Sequence, residues 1–111
     1  MKVDFKGFKE EAITFECDST VVKGGLVKMS ANGKVTVCSD NGAFIGVALN
    51  VANGYCTVQL AGYVEIPITG TVAVGYKNLT ASTVGKVKVN DTYGREYLVL
   101  YADTNKIGFI I

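Results

Sequence analysis

Gly33-Lys34-Val35-Thr36-Val37, followed across a polar turn by Phe44-Ile45-Gly46-Val47-Ala48, is the stretch that decides how this chain is read. It occurs again as Gly85-Lys86-Val87-Lys88-Val89, followed across a longer insertion by Ile107-Gly108-Phe109-Ile110. Each copy reads as a strand, a turn and a strand carrying an Ile-Gly step. Apolar and polar residues in alternation mark a strand with one buried face. Two such copies point to an all-β body built by partial duplication. The valines and isoleucines then belong to the interior, and the glycines let the sheet bend.

Turn signals recur on both sides of these strands. Asn32-Gly33, Asn41-Gly42 and Asn53-Gly54 are Asn-Gly pairs, the strongest short hairpin signal because both residues tolerate the positive φ of a type I′ turn. Gly24-Gly25 reads as a tight turn or bulge, Asp91-Thr92-Tyr93-Gly94 as a break between strands, and Asp103-Thr104-Asn105 as the lead into a last strand over 107–111. A first strand is expected over 12–17, where Ile13, Phe15 and Cys17 alternate with Thr14 and Glu16. The longest candidate covers 55–66. Cys56, Val58, Leu60, Val64 and Ile66 face one way, and Tyr55, Thr57, Gln59, Tyr63 and Glu65 the other. Gly62 interrupts it, as suits a bulge or a barrel corner, and Pro67 ends it for want of a donor. Short strands separated by frequent turns give the expected class, all-β, as a small antiparallel β-barrel or barrel-like sandwich. The expected organisation is an N-terminal arm, residues 1–11, on a single β-barrel domain, residues 12–111.

Composition narrows the function. The 111 residues suit one domain of the usual 100–200 or so and contain no apolar run approaching the roughly 18 residues of a membrane helix. The N-terminus has no secretory h-region, so folding in a cytoplasm is expected. Net charge is +1 and Arg95 is the single arginine, which argues against a nucleic-acid partner. Lys86 and Lys88 nevertheless share a face and form a small basic strip. Cys17, Cys38 and Cys56 read as buried small hydrophobes, and with no histidine in the chain a tetrahedral zinc shell is one ligand short.

Nothing selects a catalytic residue. Histidine, the commonest general base and the usual partner of a nucleophilic Ser or Cys, is missing. The carboxylates are scattered, and no Gly-rich run leads into a helix to cradle phosphate. No enzyme and no cofactor is therefore expected. The tyrosines fall mostly in strand candidates. Tyr97 and Tyr101 share a parity with Val99 and are expected to line one face of core or subunit contact.

Two segments carry a family resemblance. They are Gly42-Ala43-Phe44-Ile45-Gly46-Val47-Ala48 and Cys56-Thr57-Val58-Gln59-Leu60-Ala61-Gly62-Tyr63-Val64-Glu65-Ile66-Pro67. With Gly24-Gly25-Leu26-Val27 before them, and Gly85-Lys86-Val87 and the closing Ile107-Gly108 after, the chain resembles the small all-β capsid decoration, or head cement, proteins of tailed phages over residues 20–111. Lys34 and Lys86 depart from that pattern, in which an acidic residue often follows the step glycine, and the arm does not match it. The resemblance implies a structural, non-enzymatic virion protein on the outer capsid surface, made in the bacterial host cytoplasm. It implies the major capsid protein as partner and a homo-oligomer, a trimer above other states. Another particle adaptor (tail or baseplate) and a small nucleic-acid- or carbohydrate-binding barrel are the alternatives. The arm sets Phe5 and Phe8 among Lys6 and Lys9, a pattern suited to docking on a partner. Deleting residues 1–11 is expected to spare the fold and weaken assembly.

Overall fold

The computed structural model describes residues 5, 7–83 and 85–111. Its regular elements are ten β-strands. β1 (Glu11–Cys17), β2 (Leu26–Ala31), β3 (Lys34–Val37), β4 (Gly46–Ala52) and β5 (Tyr55–Ala61) close into a barrel in the order β1-β3-β2-β4-β5. β6 (Tyr63–Pro67), β7 (Gly75–Ala81), β8 (Val87–Val89), β9 (Arg95–Ala102) and β10 (Lys106–Ile110) form a second sheet in the order β6-β10-β9-β7-β8. The expected all-β, barrel-forming class is the observed one. The closed barrel is mixed rather than purely antiparallel, because β1 runs parallel to β3 with Cys17 opposite Val35.

The second sheet repeats the first strand for strand. β2 and β3 set Val27 opposite Val37 and Lys28 opposite Thr36, while β7 and β8 set Leu79 opposite Val89 and Thr80 opposite Lys88. β4–β5 and β9–β10 share one irregularity. Ala48 and Asn50 oppose Val58 and Thr57, and Val99 and Tyr101 oppose Phe109 and Gly108. β6 pairs β10 as β1 pairs β5. The parallel contact recurs too, since Ile68, just past β6, bridges Val87 in parallel. Even turn bonds correspond: the Cys17 N–H donates to the Gly54 carbonyl at 2.9 Å and the Ile68 N–H to the Asn105 carbonyl at 3.0 Å. Residues 11–61 and 62–111 are thus two copies of one plan, the first closed into a barrel and the second a five-stranded sheet whose outer strands meet, among the described residues, only at the Ile68–Val87 bridge; for brevity they are the first and second barrels.

The repeat is not aligned as the motif suggests. Gly33-Lys34-Val35 and Gly85-Lys86-Val87 do lead equivalent strands, β3 and β8. Ile45-Gly46, however, leads into β4, whereas Ile107-Gly108 lies in β10, the counterpart of β5. The two Ile-Gly steps share letters without sharing a place.

The interior divides accordingly. Cys17, Val27, Val35, Ala48, Cys56 and Val58 fill the first barrel. Val64, Ile66, Leu79, Val87, Val99, Ile107 and Phe109 fill the second, joined by Leu26, Cys38, Phe44 and Val47 reaching across from the first. The 55–66 stretch is two strands, not one. Its apolar face supplies Cys56 and Val58 to one core and Val64 and Ile66 to the other, and Gly62 is the corner between them. Tyr97 and Val99 share the core as expected, but the irregularity after Val99 turns Tyr101 to the opposite face, across from Gly108. All three cysteines are buried and free.

Candidate partner-binding surface

Of the arm residues expected to meet a partner, Phe5, Phe8 and Lys9 lead into the Gly62 corner. Gly62 has φ 101°, and a β-carbon there would run into the Phe8 carbonyl and lie 2.9 Å from the Glu10 backbone. Only glycine lets the arm pass this close with that backbone. The Tyr63 N–H donates to the Phe8 carbonyl at 3.2 Å, and the Phe5 ring tilts against the Tyr63 ring at 5.4 Å. Phe5 is therefore an anchor, half-buried, rather than a free contact. Phe8 is 51% exposed, and the Lys9 ammonium stands 5.8 Å from its ring centre. Lys6 lies outside the described residues. Phe5, Phe8 and Lys9 are thus brought to one corner, with Phe8 and Lys9 as its outward pair.

Tyr63, which holds the arm, is itself fixed. Its ring occupies the space a β-carbon on Gly108 would take, and its hydroxyl donates to Glu65 Oε2 at 3.0 Å. Lys106 Nζ donates to Glu65 Oε1 at 2.9 Å, and that bond raises the Lys106 pKa. Alongside, the Asp103 carboxylate accepts from the Asn105 and Lys106 N–H groups and the Tyr101 hydroxyl, which lowers its pKa. Tyr101, on the donating side, is raised by the same bond. These are surface pairs that link β6, β10 and the turn between β9 and β10. In the sequence Tyr63 falls only on a strand face; the glycine before it is the signal that a second segment crosses there.

Two depressions lie elsewhere. A cleft of about 550 Å³ opens between the barrels, lined by Val22, Lys23, Leu26, Val37, Pro67 and Gly85. A groove of about 380 Å³ on the second barrel sets Tyr76 beside Lys77, Asn78, Asp91 and Glu96. The basic strip is weaker than expected, because Lys88 Nζ pairs with Asp40 at 2.8 Å and leaves Lys86 to face solvent. Among the described residues no three His, Cys, Asp or Glu side chains converge as metal ligands. No family model matches the chain, and no curated protein matches it.

Proposed function

We propose that this chain is a structural, non-enzymatic protein of a phage particle that binds the outer capsid surface and stabilises the head. The observation that supports it best is the anchored arm. Phe8 and Lys9 are presented at a corner whose backbone is held by β6, which removes much of the ordering cost of docking. The motifs that carry the resemblance to head decoration proteins fall on strands and corners of the barrels, so the arm and loops are left to make contacts. Attachment as a homo-oligomer, a trimer at a threefold site, would make the later contacts intramolecular and raise avidity. Expanded, undecorated heads of the cognate phage, mixed with the protein, should carry it through sedimentation. A protein left wholly in the supernatant would remove the proposal. Retention on tails or baseplates instead would assign it to an adaptor.

A second reading, a small carbohydrate-binding barrel, is favoured by the Tyr76 groove. Tyr76 is 67% exposed and flanked by an amide and two carboxylates, the mix of stacking face and hydrogen-bonding groups that sugars take. The Lys88–Asp40 pair weakens the nucleic-acid version of that reading. NMR titration with soluble oligosaccharides should shift Tyr76 and Glu96 selectively if it holds, and unchanged spectra would exclude it.

A further inference from the structure

We propose that copies of this chain associate head to tail, the loop around Tyr93 of one copy closing the open end of the first barrel of the next. The inference rests on the internal repeat and not on the capsid reading.

The second barrel has a closed end. The loop after β3 brings Asn41 and Gly42 to its β7 edge, where the Asn41 N–H donates to the Ala81 carbonyl at 3.0 Å and the Ala81 N–H to the Gly42 carbonyl at 2.9 Å. Phe44 then enters the interior. It stacks on Tyr97 at 5.4 Å and 9° and meets the edge of Phe109 at 6.1 Å. Asn90 Nδ2 donates to Asn41 Oδ1 at 3.1 Å and holds the loop in place. Val64 and Ala81, near this end, are buried.

Among the described residues, nothing covers the same end of the first barrel. Met29 stands opposite Val35 as Ala81 stands opposite Val87, and Ile13 opposite Val58 as Val64 opposite Phe109. Yet Ile13 is 53% and Met29 45% exposed. Among the described residues β2 pairs β4 at Leu26 and Val27 alone, and the edge beyond them has no strand partner at Met29. Ala81 meets the closing loop on the corresponding edge. A methionine with its side chain free suits an adaptable docking site.

The counterpart of the closing loop is tied back to β7, where Asn78 Nδ2 donates to Asp91 Oδ1 at 3.3 Å, and among the described residues it closes no barrel end. Cys38 N–H donates to the Leu26 carbonyl where the first loop leaves β3, and Asn90 N–H donates to the Asn78 carbonyl at the matching point after β8, both at 2.9 Å. The loop that follows carries Tyr93, 68% exposed. It is pre-shaped, because Asn90 Oδ1 accepts from the Thr92 and Tyr93 N–H groups at 3.1 and 3.0 Å. A rigidly presented tyrosine gives large contact area at low entropic cost. Each copy therefore holds one uncovered barrel end and one unused closing loop, and a second copy supplies what each lacks. Such a heterologous contact extends from copy to copy and closes into a ring where the rotation permits.

The test is the solution mass of the full chain by light scattering and sedimentation. The wild type should exceed the monomer mass. Tyr93→Asp and Met29→Asp should each weaken association more than about tenfold, as truncation of an interface anchor does, with the circular dichroism spectrum retained. Ile13→Lys is the second variant at the barrel end should Met29→Asp fail to fold. Mixed together, the Tyr93 and Met29 variants should form a one-to-one dimer and nothing larger, since the pair retains one intact loop and one intact end. A wild type that stays monomeric at its highest soluble concentration would overturn the proposal. So would association that survives both variants, or a mixture that stays monomeric.

Discussion

The two barrels share a ladder and differ in what fills it. The second encloses Ile66, Leu79, Ile107 and Phe109 and draws Phe44 in from its neighbour. The first encloses smaller side chains, among them Ala48 and the thiols of Cys17 and Cys56, and among the described residues it borrows nothing from the second. Strand pairing thus fixes the architecture, while side-chain volume decides which barrel receives a closing ring and which is left with an exposed end. The second barrel depends on the first for its core. That dependence makes the pair one structural unit rather than two beads.

Removing the shared ring should break this relation most severely. Phe44 is 1% exposed and touches two aromatic rings of the second barrel. Phe44→Ala should cost about 3–5 kcal/mol, the range for deleting a buried phenylalanine. Urea unfolding followed by near-ultraviolet circular dichroism measures it. A loss under about 1 kcal/mol would show that the second barrel holds its own core.

The corner between the barrels is the next point of attack. Gly62→Ala places a β-carbon against the Phe8 carbonyl and strains a backbone at φ 101°. The cost should be about 1–3 kcal/mol, part of it recovered when residues 1–9 are also deleted, because the collision goes while the backbone strain stays. Equal penalties with and without the arm would mean that the arm does not hold this path.

These two sites also divide what the sequence made legible from what it hid. Period-2 alternation and turn residues gave strand class, and Gly62 announced its corner. Asn53-Gly54 behaves as an Asn-Gly hairpin should, with φ of 54° and 80°. Asn41-Gly42 carries the same letters but forms the closing loop of the other barrel, with only Asn41 at positive φ. Local preference determines that a chain turns, whereas the partner the turn meets is a long-range contact that no short window encodes. The alignment of the repeat was obscured for a related reason. Hydrogen-bond register is conserved between Val27–Val37 and Leu79–Val89, but side-chain identity is not, so letter matching paired the wrong Ile-Gly step. At the arm, the mixture of Phe and Lys was visible, but that Phe5 serves as anchor and Phe8 as the outward ring depends on Tyr63.

Alkali should separate the two cores chemically. Burial, together with a bond and charge from Cys17, pushes the Cys56 pKa up to about 11, above the ordinary thiol range. The folded state therefore keeps its proton where the unfolded chain has lost it. The resulting stability is present below pH 9 and declines as pH rises from 9 towards 11. Urea midpoints across that window should fall in the wild type and fall less in Cys56→Val; matching slopes would assign the loss to other groups. Thr80 gives a smaller effect of opposite sign. Its hydroxyl is buried and has no hydrogen-bond partner among the described residues, while its counterpart Lys28 is half-exposed. Thr80→Val should stabilise the protein by about 1 kcal/mol by removing an unsatisfied group, and a destabilised variant would reveal a partner for that oxygen.

The weakest link between the barrels is the ion pair of Lys88 and Asp40, 2.8 Å apart. It joins β8 of the second barrel to the loop that closes that barrel, close to the Asn90–Asn41 bond. Both side chains are partly exposed, so water and salt screen the pair and its worth is at most about 0.5 kcal/mol. Lys88→Ala should therefore change the urea midpoint slightly at low salt and not at all at high salt. Should the loss match that of Phe44→Ala, electrostatics rather than ring packing would hold the barrels together. The Phe44 and Lys88 variants, measured in the same buffers, distinguish the two mechanisms, because only the ion pair carries a salt dependence.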